Sequence, residues 1–179
     1  EQVGANVINL DDIQLHPGGT PKTGIMSSWP SGRNRIFLTP QGDRFVNEDA
    51  ARDTLCKAVF KEGGKYWIVS NHVKYPTLDY QSKNLTIGEM IKLGQAFSGN
   101  TIEELAQKTG MDPKKLRASI DTYNDVVTGK IKEDNLGFKK FTQDDKPMTE
   151  GPFYATPMVP AVHHTMGGIQ INSAAQVLD

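Results

Sequence analysis

The chain has 179 residues, of which 37% are hydrophobic and 8% aromatic, and this composition fits one domain with an apolar core. A formal net charge of −1 excludes a strongly basic nucleic-acid surface, and no stretch approaches the roughly 20 apolar residues of a membrane span. The single cysteine, Cys56, excludes an internal disulfide and is expected to be a small buried apolar residue.

The N-terminal third is predicted to form strands and loops. Weak alternation at 7–10 and 13–15 predicts a short strand that leads to His16. The segment 18–32 is rich in Gly, Pro, Ser and Thr, which predicts a long irregular loop of a kind that is often functional. A hairpin is predicted from 35–39 and 44–46, with Gly42 in its turn. A helix or turn should follow over 47–55, and a strand over 65–70.

The middle of the chain is predicted to be helical. Apolar spacing predicts one helix over 87–96, ended by Gly99 and Asn100. Thr101 and Glu104 form a capping-box pattern that starts a second helix, which Gly110 closes. Asp112 and Pro113 start a third helix, which runs to Gly129. The apolar stripe of this third helix is predicted to face the core, and its members are Leu116, Ile120, Tyr123 and Val127.

The C-terminal part is predicted to be a solvated loop followed by an apolar segment. Residues 131–150 are polar, and their charge run is expected to lie on the surface. Apolar sequence returns at 151–155, and a loop around His163 and His164 is expected to follow. No repeat or linker interrupts the chain. We therefore predict a single α+β domain, with a small sheet or hairpins plus helices.

The segment Pro160-Ala-Val-His-His-Thr-Met-Gly-Gly168 is the strongest functional signal in the sequence. Imidazoles bind anions or exchange protons near neutral pH. The two glycines lack Cβ, so their backbone can adopt φ > 0 and approach a flat ligand closely. The segment therefore indicates part of a larger active site, and the simpler alternative is a turn before a β-rich run.

Three basic groups stand apart from the predicted helices: His16, Arg52 and the pair His163 and His164. Arg52 is surrounded by acids, so it could form an ion pair with Glu48, Asp49 or Asp53, or bind a carboxylate in bidentate fashion. His16 could equally cap a turn. Neighbouring histidines point in different directions in a regular chain, and no Asp, Glu or Cys set has ligand spacing, so a metal site is weakly supported. The chain lacks dinucleotide and phosphate-loop motifs and should not hold a nucleotide alone.

Six ordered segments resemble the capping domain of the flavoproteins related to soluble fumarate reductase, succinate dehydrogenase and urocanate reductase. They are Asp12-Ile-Gln-Leu-His-Pro17, Gly42-Asp-Arg-Phe-Val-Asn-Glu48, Arg52-Asp53, Thr101-Ile-Glu-Glu-Leu-Ala106, Gly151-Pro-Phe-Tyr-Ala155 and Val162-His-His-Thr-Met-Gly-Gly168. Together they cover essentially the whole chain. In such enzymes a large domain binds FAD, and the cap closes over the flavin and the substrate.

The resemblance implies a role for each of several residues. Reduced flavin gives a hydride to the β-carbon of an activated alkene beside a carboxylate, and an arginine that Arg52 matches delivers the proton to the other carbon. His16 and His164 resemble the histidines near the two substrate carboxylates. Substrate contacts are also implied for Met26 and Ser28. The residues that resemble the segment beside the flavin are His163, Met166, Gly167 and Gly168.

One segment departs from the family pattern. Where fumarate reductases carry Thr-Glu-x-x-Arg-Gly, this chain reads Ser28-Trp29-Pro30-Ser31-Gly32-Arg33. Ser28 can replace the threonine hydroxyl, Trp29 replaces the glutamate of the proton relay, and Arg33 is shifted by about one place from the relay arginine. This change favours a larger, partly aromatic enoate that stacks on Trp29 over fumarate itself.

The resemblance predicts that residues 1–179 are a capping domain excised from a larger FAD-dependent enzyme, without its FAD-binding domain. FAD is then expected in the full-length protein and not in this fragment, which is expected to be inactive alone. The implied partners are a small unsaturated carboxylate and the FAD-binding domain of the same polypeptide, with no nucleic acid and no membrane span. The alternatives are a stand-alone ligand-binding or interaction module with the cap fold and, more remotely, a metal-assisted hydrolase.

Overall fold

The computed structural model describes residues 4–24, 32–82 and 85–179. These residues form a mixed α/β structure, as predicted. The strands are β1 (Val7–Ile8), β2 (Ile13–Gly19), β3 (Arg35–Leu38), β4 (Tyr66–Asn71), β5 (Gln81–Ser82), β6 (Leu85–Thr86), β7 (Phe97–Gly99), β8 (Phe153–Thr165) and β9 (Gly168–Ile169). The helices are α1 (Arg52–Lys61), α2 (Ile87–Lys92), α3 (Ile102–Thr109) and α4 (Pro113–Val127).

An antiparallel sheet of five strands organises the fold, with the order β2-β8-β4-β3 and with β7 also paired to β8. Strand β8 is 13 residues long and links two regions of the molecule. Its first half pairs with β4 in the interior, and its second half pairs with β2 at a partly exposed edge. The sequence predicted a loop around His163 and His164. This prediction is wrong, because both residues lie in the outer end of β8.

Helices cover both faces of the inner part of the sheet. Ile36 and Leu38 of β3 point to the core formed with α3 and α4, whereas Phe37 points to the core formed with α1 and α2. This alternation follows from the two-residue period of a strand. Because both faces are covered, all four residues of β3 are buried, including Arg35.

The local signals for α3 and α4 are confirmed. The Thr101 hydroxyl accepts a hydrogen bond from the Glu104 N–H at 3.1 Å, and Gly110 ends α3 with φ 79°. The Glu104 carboxylate accepts from the Asn100 N–H, one residue before the expected partner. Asp112 caps α4, and the predicted core stripe of α4 is buried.

Several boundaries differ from the prediction because pairing across the sheet decides them. The predicted second strand of the hairpin is reduced to one bridge between Leu38 and Arg44, because β4 pairs with β3 instead. Gly42 does occupy the turn, with φ 105°. Gly18 belongs to β2 rather than to a loop. Helix α2 ends at Lys92, and residues 93–96, which were predicted to continue it, form a turn that leads to β7.

The segment 131–150 is irregular, as predicted, but its charges are not all on the surface. Asp134 and Asp145 are buried. The Asp134 carboxylate accepts hydrogen bonds from the Leu136 and Phe138 N–H groups, each at 2.9 Å. Its other oxygen lies 2.5 Å from Arg44, so this carboxylate joins the loop to the core.

A buried ion-pair network holds the turn after β3. Arg44 contacts Glu48 at 2.6 Å and Asp134 at 2.5 Å, and the three side chains are at most 4% exposed. Glu48 also accepts a hydrogen bond from the Phe37 N–H at 2.9 Å. Burial alone would lower the pKa of Arg44, but the two carboxylates outweigh it and raise that pKa.

No helix in the described part of the chain has the length and hydropathy of a membrane-spanning segment.

Candidate functional site

A cavity of about 500 Å³ opens where β2, the start of α1 and the segment before β3 meet. It contains both Arg52 and His16, two of the residues that the sequence singled out. Its lining residues are His16, Pro17, Gly32, Arg33, Arg35, Glu48, Asp49, Ala50, Arg52, Leu55 and Phe141. The cavity therefore combines a cationic floor with a few apolar surfaces, a composition typical of a site for a small organic anion.

Arg52 is the first residue of α1, and its side chain is exposed. Within residues 4–24, 32–82 and 85–179, no carboxylate lies within ion-pair distance of it, because Asp53 faces Lys57, Asp49 faces Arg33 and Glu48 faces Arg44. The ion pair that the sequence left open for Arg52 therefore does not form. A cation at a helix N-terminus also meets the positive end of the helix dipole, which is unfavourable. An ion pair within the described residues therefore does not explain the position of Arg52.

The other two arginines of the cavity are held by carboxylates. Arg33 contacts Asp145 with Nε at 2.5 Å and Nη2 at 2.9 Å, and contacts Asp49 with Nη1 at 2.6 Å. Arg35 lies 3.7 Å from the second oxygen of Asp49. Burial alone would raise the pKa of Asp145, but hydrogen bonds from Arg33, Thr142 and Phe141 outweigh it and lower that pKa. The sequence did not predict this cluster, because Asp145 follows its partner by 112 residues.

His16 faces the cavity from β2. Its Nδ1 accepts a hydrogen bond from the Gly18 N–H at 2.9 Å. A neutral imidazole that accepts at Nδ1 carries its proton at Nε2, so this contact selects one tautomer. His16 thus caps a local turn, as one of the two alternatives expected, and it also lines the cavity.

A β-bulge brings the histidine pair together. Gln14 pairs with His164 and Leu15 pairs with Val162, so His163 is the extra residue of β8. The bulge places the two rings 4.6 Å apart, which corrects the expectation that they diverge. The His163 ring lies 5.9 Å from that of His16. No group of three potential metal ligands is found among the described residues.

The two histidines have different surroundings. His163 is half-buried, and its Nδ1 lies 2.9 Å from the Gln14 side-chain oxygen. His164 is exposed, and its Nε2 lies 3.0 Å from the Met166 sulfur. The structure therefore places His163 beside His16 and the cavity, and places His164 beside the segment that ends in Gly168.

Met166, Gly167 and Gly168 form an exposed apolar edge. Met166 is 64% exposed, and its N–H donates to the Asp12 carbonyl at 2.8 Å. Neither glycine has a positive φ, so the conformational reason given for them from sequence is wrong. Gly167 instead packs directly on the Asn9 carbonyl, and the position of a Cβ on Gly168 has no atom within 4 Å. Gly168 therefore leaves room for a flat ligand.

We expect Gly167→Ala and Gly168→Ala to differ in stability. A Cβ on Gly167 would overlap the Asn9 carbonyl, so β1 and β9 must separate, at a cost of about 1–3 kcal/mol for an overpacked site. A Cβ on Gly168 meets nothing and should leave the free energy of unfolding within about 0.5 kcal/mol of the parent. Urea unfolding of the two variants measures the difference, and equal stability would contradict the close approach.

Lys74 is a half-buried cation next to the cavity residue Arg33. Its Nζ donates to the Arg33 carbonyl at 3.1 Å. Burial, followed by the charges of Arg35 and Arg33, lowers the pKa of Lys74 to about 7. At neutral pH this amine is therefore partly unprotonated, and the positive charge near the cavity depends on pH.

We expect the pH dependence of stability to report on Lys74. Its pKa is lower in the folded chain than in the unfolded chain, so between about pH 7 and 10.5 the unfolded chain binds more protons and stability rises with pH. The free energy of unfolding of the parent relative to Lys74→Met should therefore increase across that range and be level below pH 7. Urea unfolding from pH 6 to 10 tests this, and a constant difference would show an unshifted pKa.

A second cavity, of about 490 Å³, lies on the other side of Arg52, between β2 and α1. Cys56 and the exposed ring of Phe60 line it. Cys56 is buried as predicted, and burial, followed by the charge of Asp53, raises the pKa of its thiol to about 11.

Three residues named from the sequence lie outside the described residues: Met26, Ser28 and Trp29. The resemblance assigned Met26 and Ser28 to the substrate site.

Comparisons with known proteins identify the family of this chain. A family model described as an FAD binding domain matches residues 1–179. The chain is 34% identical to the NADH:acrylate oxidoreductase of Vibrio harveyi, over 99% of this chain and 17% of that protein. It is also 34% identical to the NADH:fumarate oxidoreductase of Klebsiella pneumoniae (strain 342), over 100% of this chain and 19% of that protein.

A solved structure has the same fold. The open conformation of a flavocytochrome c3 fumarate reductase superimposes with a TM-score of 0.74 at 30% identity, over 99% of this chain and 30% of that chain. The chain thus spans less than a third of the length of these three proteins. The open edge at Gly168 and the exposed Met166 fit contact with a flat ring system such as that of FAD. The chain belongs to the FAD binding domain family of flavoproteins, whose cofactor is FAD.

Proposed function

We propose that this chain is the capping domain of an FAD-dependent oxidoreductase that reduces the C=C bond of an α,β-unsaturated carboxylate. The observation that carries the proposal is Arg52, an exposed guanidinium without a carboxylate partner in the described part of the chain, which shares a cavity with His16. The likeness to proteins named NADH:acrylate and NADH:fumarate oxidoreductases supports the same reaction class.

The carboxylate of the substrate binds at the cationic end of the cavity. His16 lines this end, the ring of His163 lies 5.9 Å from that of His16, and either imidazole can donate a hydrogen bond to a carboxylate oxygen. The resemblance assigns His164 to the substrate and His163 to the flavin, but the positions of the rings favour the opposite assignment. The assignment of Met26 and Ser28 to the proposed substrate site rests on the resemblance alone.

Arg52 gives a proton to the alkene carbon next to the carboxylate. An arginine has a pKa above 12 and is a weak acid in water, so the transfer requires a pocket from which water is excluded. The cavity is open in this structure, and closure of the cap over a bound substrate would exclude that water. The first turn of α1 fixes the backbone of Arg52, so the helix directs the side chain towards the cavity that it lines.

FAD would be held on the edge formed by His164, Met166 and Gly168. When bound and reduced, FAD supplies a hydride, and the proton from Arg52 completes the addition of two hydrogen atoms across the C=C bond. The open side of Gly168 allows a flat ring to approach the backbone, and the Met166 thioether provides apolar contact. His164 lies between this edge and His163, so it lines the boundary between the flavin and the substrate.

The surface around this edge supports a partner domain. Exposed apolar side chains cluster on β1, β2, β8 and β9 and beside them, and they are Ile8, Leu10, Ile13, Val162, Met166 and Ile169. A contiguous apolar patch of this kind marks an interaction surface. The FAD-binding domain of the same polypeptide is the partner that we propose for it. A stand-alone module would leave the patch in water.

The experiment follows the reaction directly. The enzyme that contains this chain is purified with FAD, reduced anaerobically and mixed with an enoate. We expect reoxidation of the flavin and recovery of the saturated acid, and we expect this activity to depend on Arg52. Reduced flavin that stays reduced with acrylate, fumarate and cinnamate would reject the proposed function.

A further inference from the structure

The mouth of the cavity has a surface that the proposed reaction does not use. Building on the proposed function, we propose that Phe141 and Arg33 form a subsite for a flat, uncharged substituent on the β-carbon of the enoate. The substrate class is then an aryl-substituted monocarboxylate such as cinnamate, rather than a small dicarboxylate.

Phe141 is exposed, but its backbone is fixed. Its ring is 78% exposed, although a side chain of this size is usually buried in a soluble protein. Its N–H donates to Asp145 Oδ2 at 2.7 Å, and the Thr142 N–H donates to the same oxygen at 3.0 Å. A turn built around a buried carboxylate therefore holds the ring at the cavity. This arrangement suits a preformed contact surface for a ligand.

Arg33 provides the second flat surface. Its guanidinium carbon lies 5.7 Å from the centre of the Phe141 ring, within the range of a cation–π contact. Three hydrogen bonds to Asp145 and Asp49 fix the guanidinium plane, so a ligand that stacks on it does not have to immobilise it. Guanidinium and phenyl groups both stack well on an aromatic ring.

The charges at the mouth oppose a second carboxylate. Arg33 is compensated by Asp145 and Asp49, and Arg35 lies 3.7 Å from Asp49. A second substrate carboxylate would lie near Asp49, where like charges repel. At the other end of the cavity, Arg52 has no carboxylate partner in the described ranges, and His16 beside it can receive the first carboxylate without such repulsion. The cavity thus has one end for a carboxylate and one end for an uncharged group.

The volume of the cavity also favours an aryl-substituted substrate over a small dicarboxylate. Its volume of about 500 Å³ lies within the range of small-molecule sites. A four-carbon diacid would leave most of this volume unfilled. An aryl group on the β-carbon would extend from the end with Arg52 towards Phe141. The aromatic contact that the sequence assigned to Trp29 lies outside the described residues, and Phe141 is a separate aromatic contact.

The experiment measures selectivity in the FAD-loaded enzyme that contains this chain. We compare kcat/KM for cinnamate, acrylate and fumarate, per bound flavin, in the parent, in Phe141→Ala and in Phe60→Ala. Phe60 is a matched control, because it is also an exposed phenylalanine but lines the second cavity. We expect the parent to prefer cinnamate. Phe141→Ala should lower the cinnamate-to-acrylate ratio by about tenfold, the loss typical of an aromatic stack, and Phe60→Ala should keep the ratio of the parent.

The outcomes separate this inference from the proposed function. If acrylate is reduced in an Arg52-dependent reaction but the ratio does not respond to Phe141→Ala, the subsite is wrong and the function stands. A parent enzyme that prefers fumarate to cinnamate also overturns the subsite alone. Equal changes in Phe141→Ala and Phe60→Ala would show a general effect of surface aromatics and would likewise overturn it. If no enoate is reduced, both proposals fail.

Discussion

Replacement of Arg52 by alanine should abolish most enoate reduction while FAD stays bound. We expect kcat to fall by about three orders of magnitude, because general acid catalysis contributes roughly 10²–10⁴-fold. Binding of the substrate should weaken only modestly, since His16 and His163 lie at the same end of the site. An interaction made mainly in the transition state lowers kcat when it is lost, rather than raising KM. The measurement is turnover per bound flavin.

Two further variants make this result specific. Arg52→Lys should recover a small part of the activity, because an ammonium group can donate a proton but lacks the planar guanidinium and its reach. Lys61→Ala removes a cation from the last turn of the same helix, far from the cavity lining, and should turn over like the parent. If Arg52→Ala retains turnover within about tenfold of the parent, or roughly 1.4 kcal/mol of barrier, Arg52 is not the acid.

Removal of Arg44 should be the most destabilising single change in the turn after β3. Arg44→Ala leaves the carboxylates of Glu48 and Asp134 buried without their cation, and a broken buried ion pair of this kind costs about 3–5 kcal/mol. The stack of Arg44 on the Phe138 ring, 5.1 Å from its centre, is lost as well. The free energy of unfolding in urea measures this loss.

Arg117→Ala is the matched control for Arg44. Arg117 pairs with Glu103 at 2.5 Å, but both side chains are at least half exposed. Water and salt screen such a pair, so its loss should cost about 0–1 kcal/mol. If the two arginine variants unfold at the same urea concentration, the network around Arg44 does not stabilise the fold. The comparison also tests whether the segment 131–150 is anchored through Asp134.

The sequence predicted best where the relevant contacts lie within a few residues. The start and end of α3 are predicted by Thr101, Glu104 and Gly110, and the start of α4 is predicted by Asp112 and Pro113. Capping uses backbone groups within one helical turn, so the signal is local. The core stripe of α4 follows from the helical period in the same way. The segments that resemble the flavoprotein capping domain also indicate the family.

The arrangement of the candidate site could not be read from local patterns. His163 is the extra residue of a bulge because Gln14 and Leu15 set the register of β8, and these residues lie about 150 positions away. The separate environments of His163 and His164 depend on that register. In the same way, Asp145 appears in sequence as part of a charged run and becomes a buried partner of Arg33 only in the folded chain.

The sequence by itself therefore determined helices α3 and α4, the mixed α/β class and the membership of an FAD-binding family, and it singled out Arg52 and His16 as candidate site residues. Only the tertiary structure decided that Arg52 lacks a carboxylate partner among the described residues, that His163 lies beside His16, and that Phe141 lies at the mouth of the cavity. The physical reason is the range of the interactions. Helix caps and apolar periods act over a few residues, whereas strand register and buried ion pairs join distant segments and exist only once the whole chain has folded.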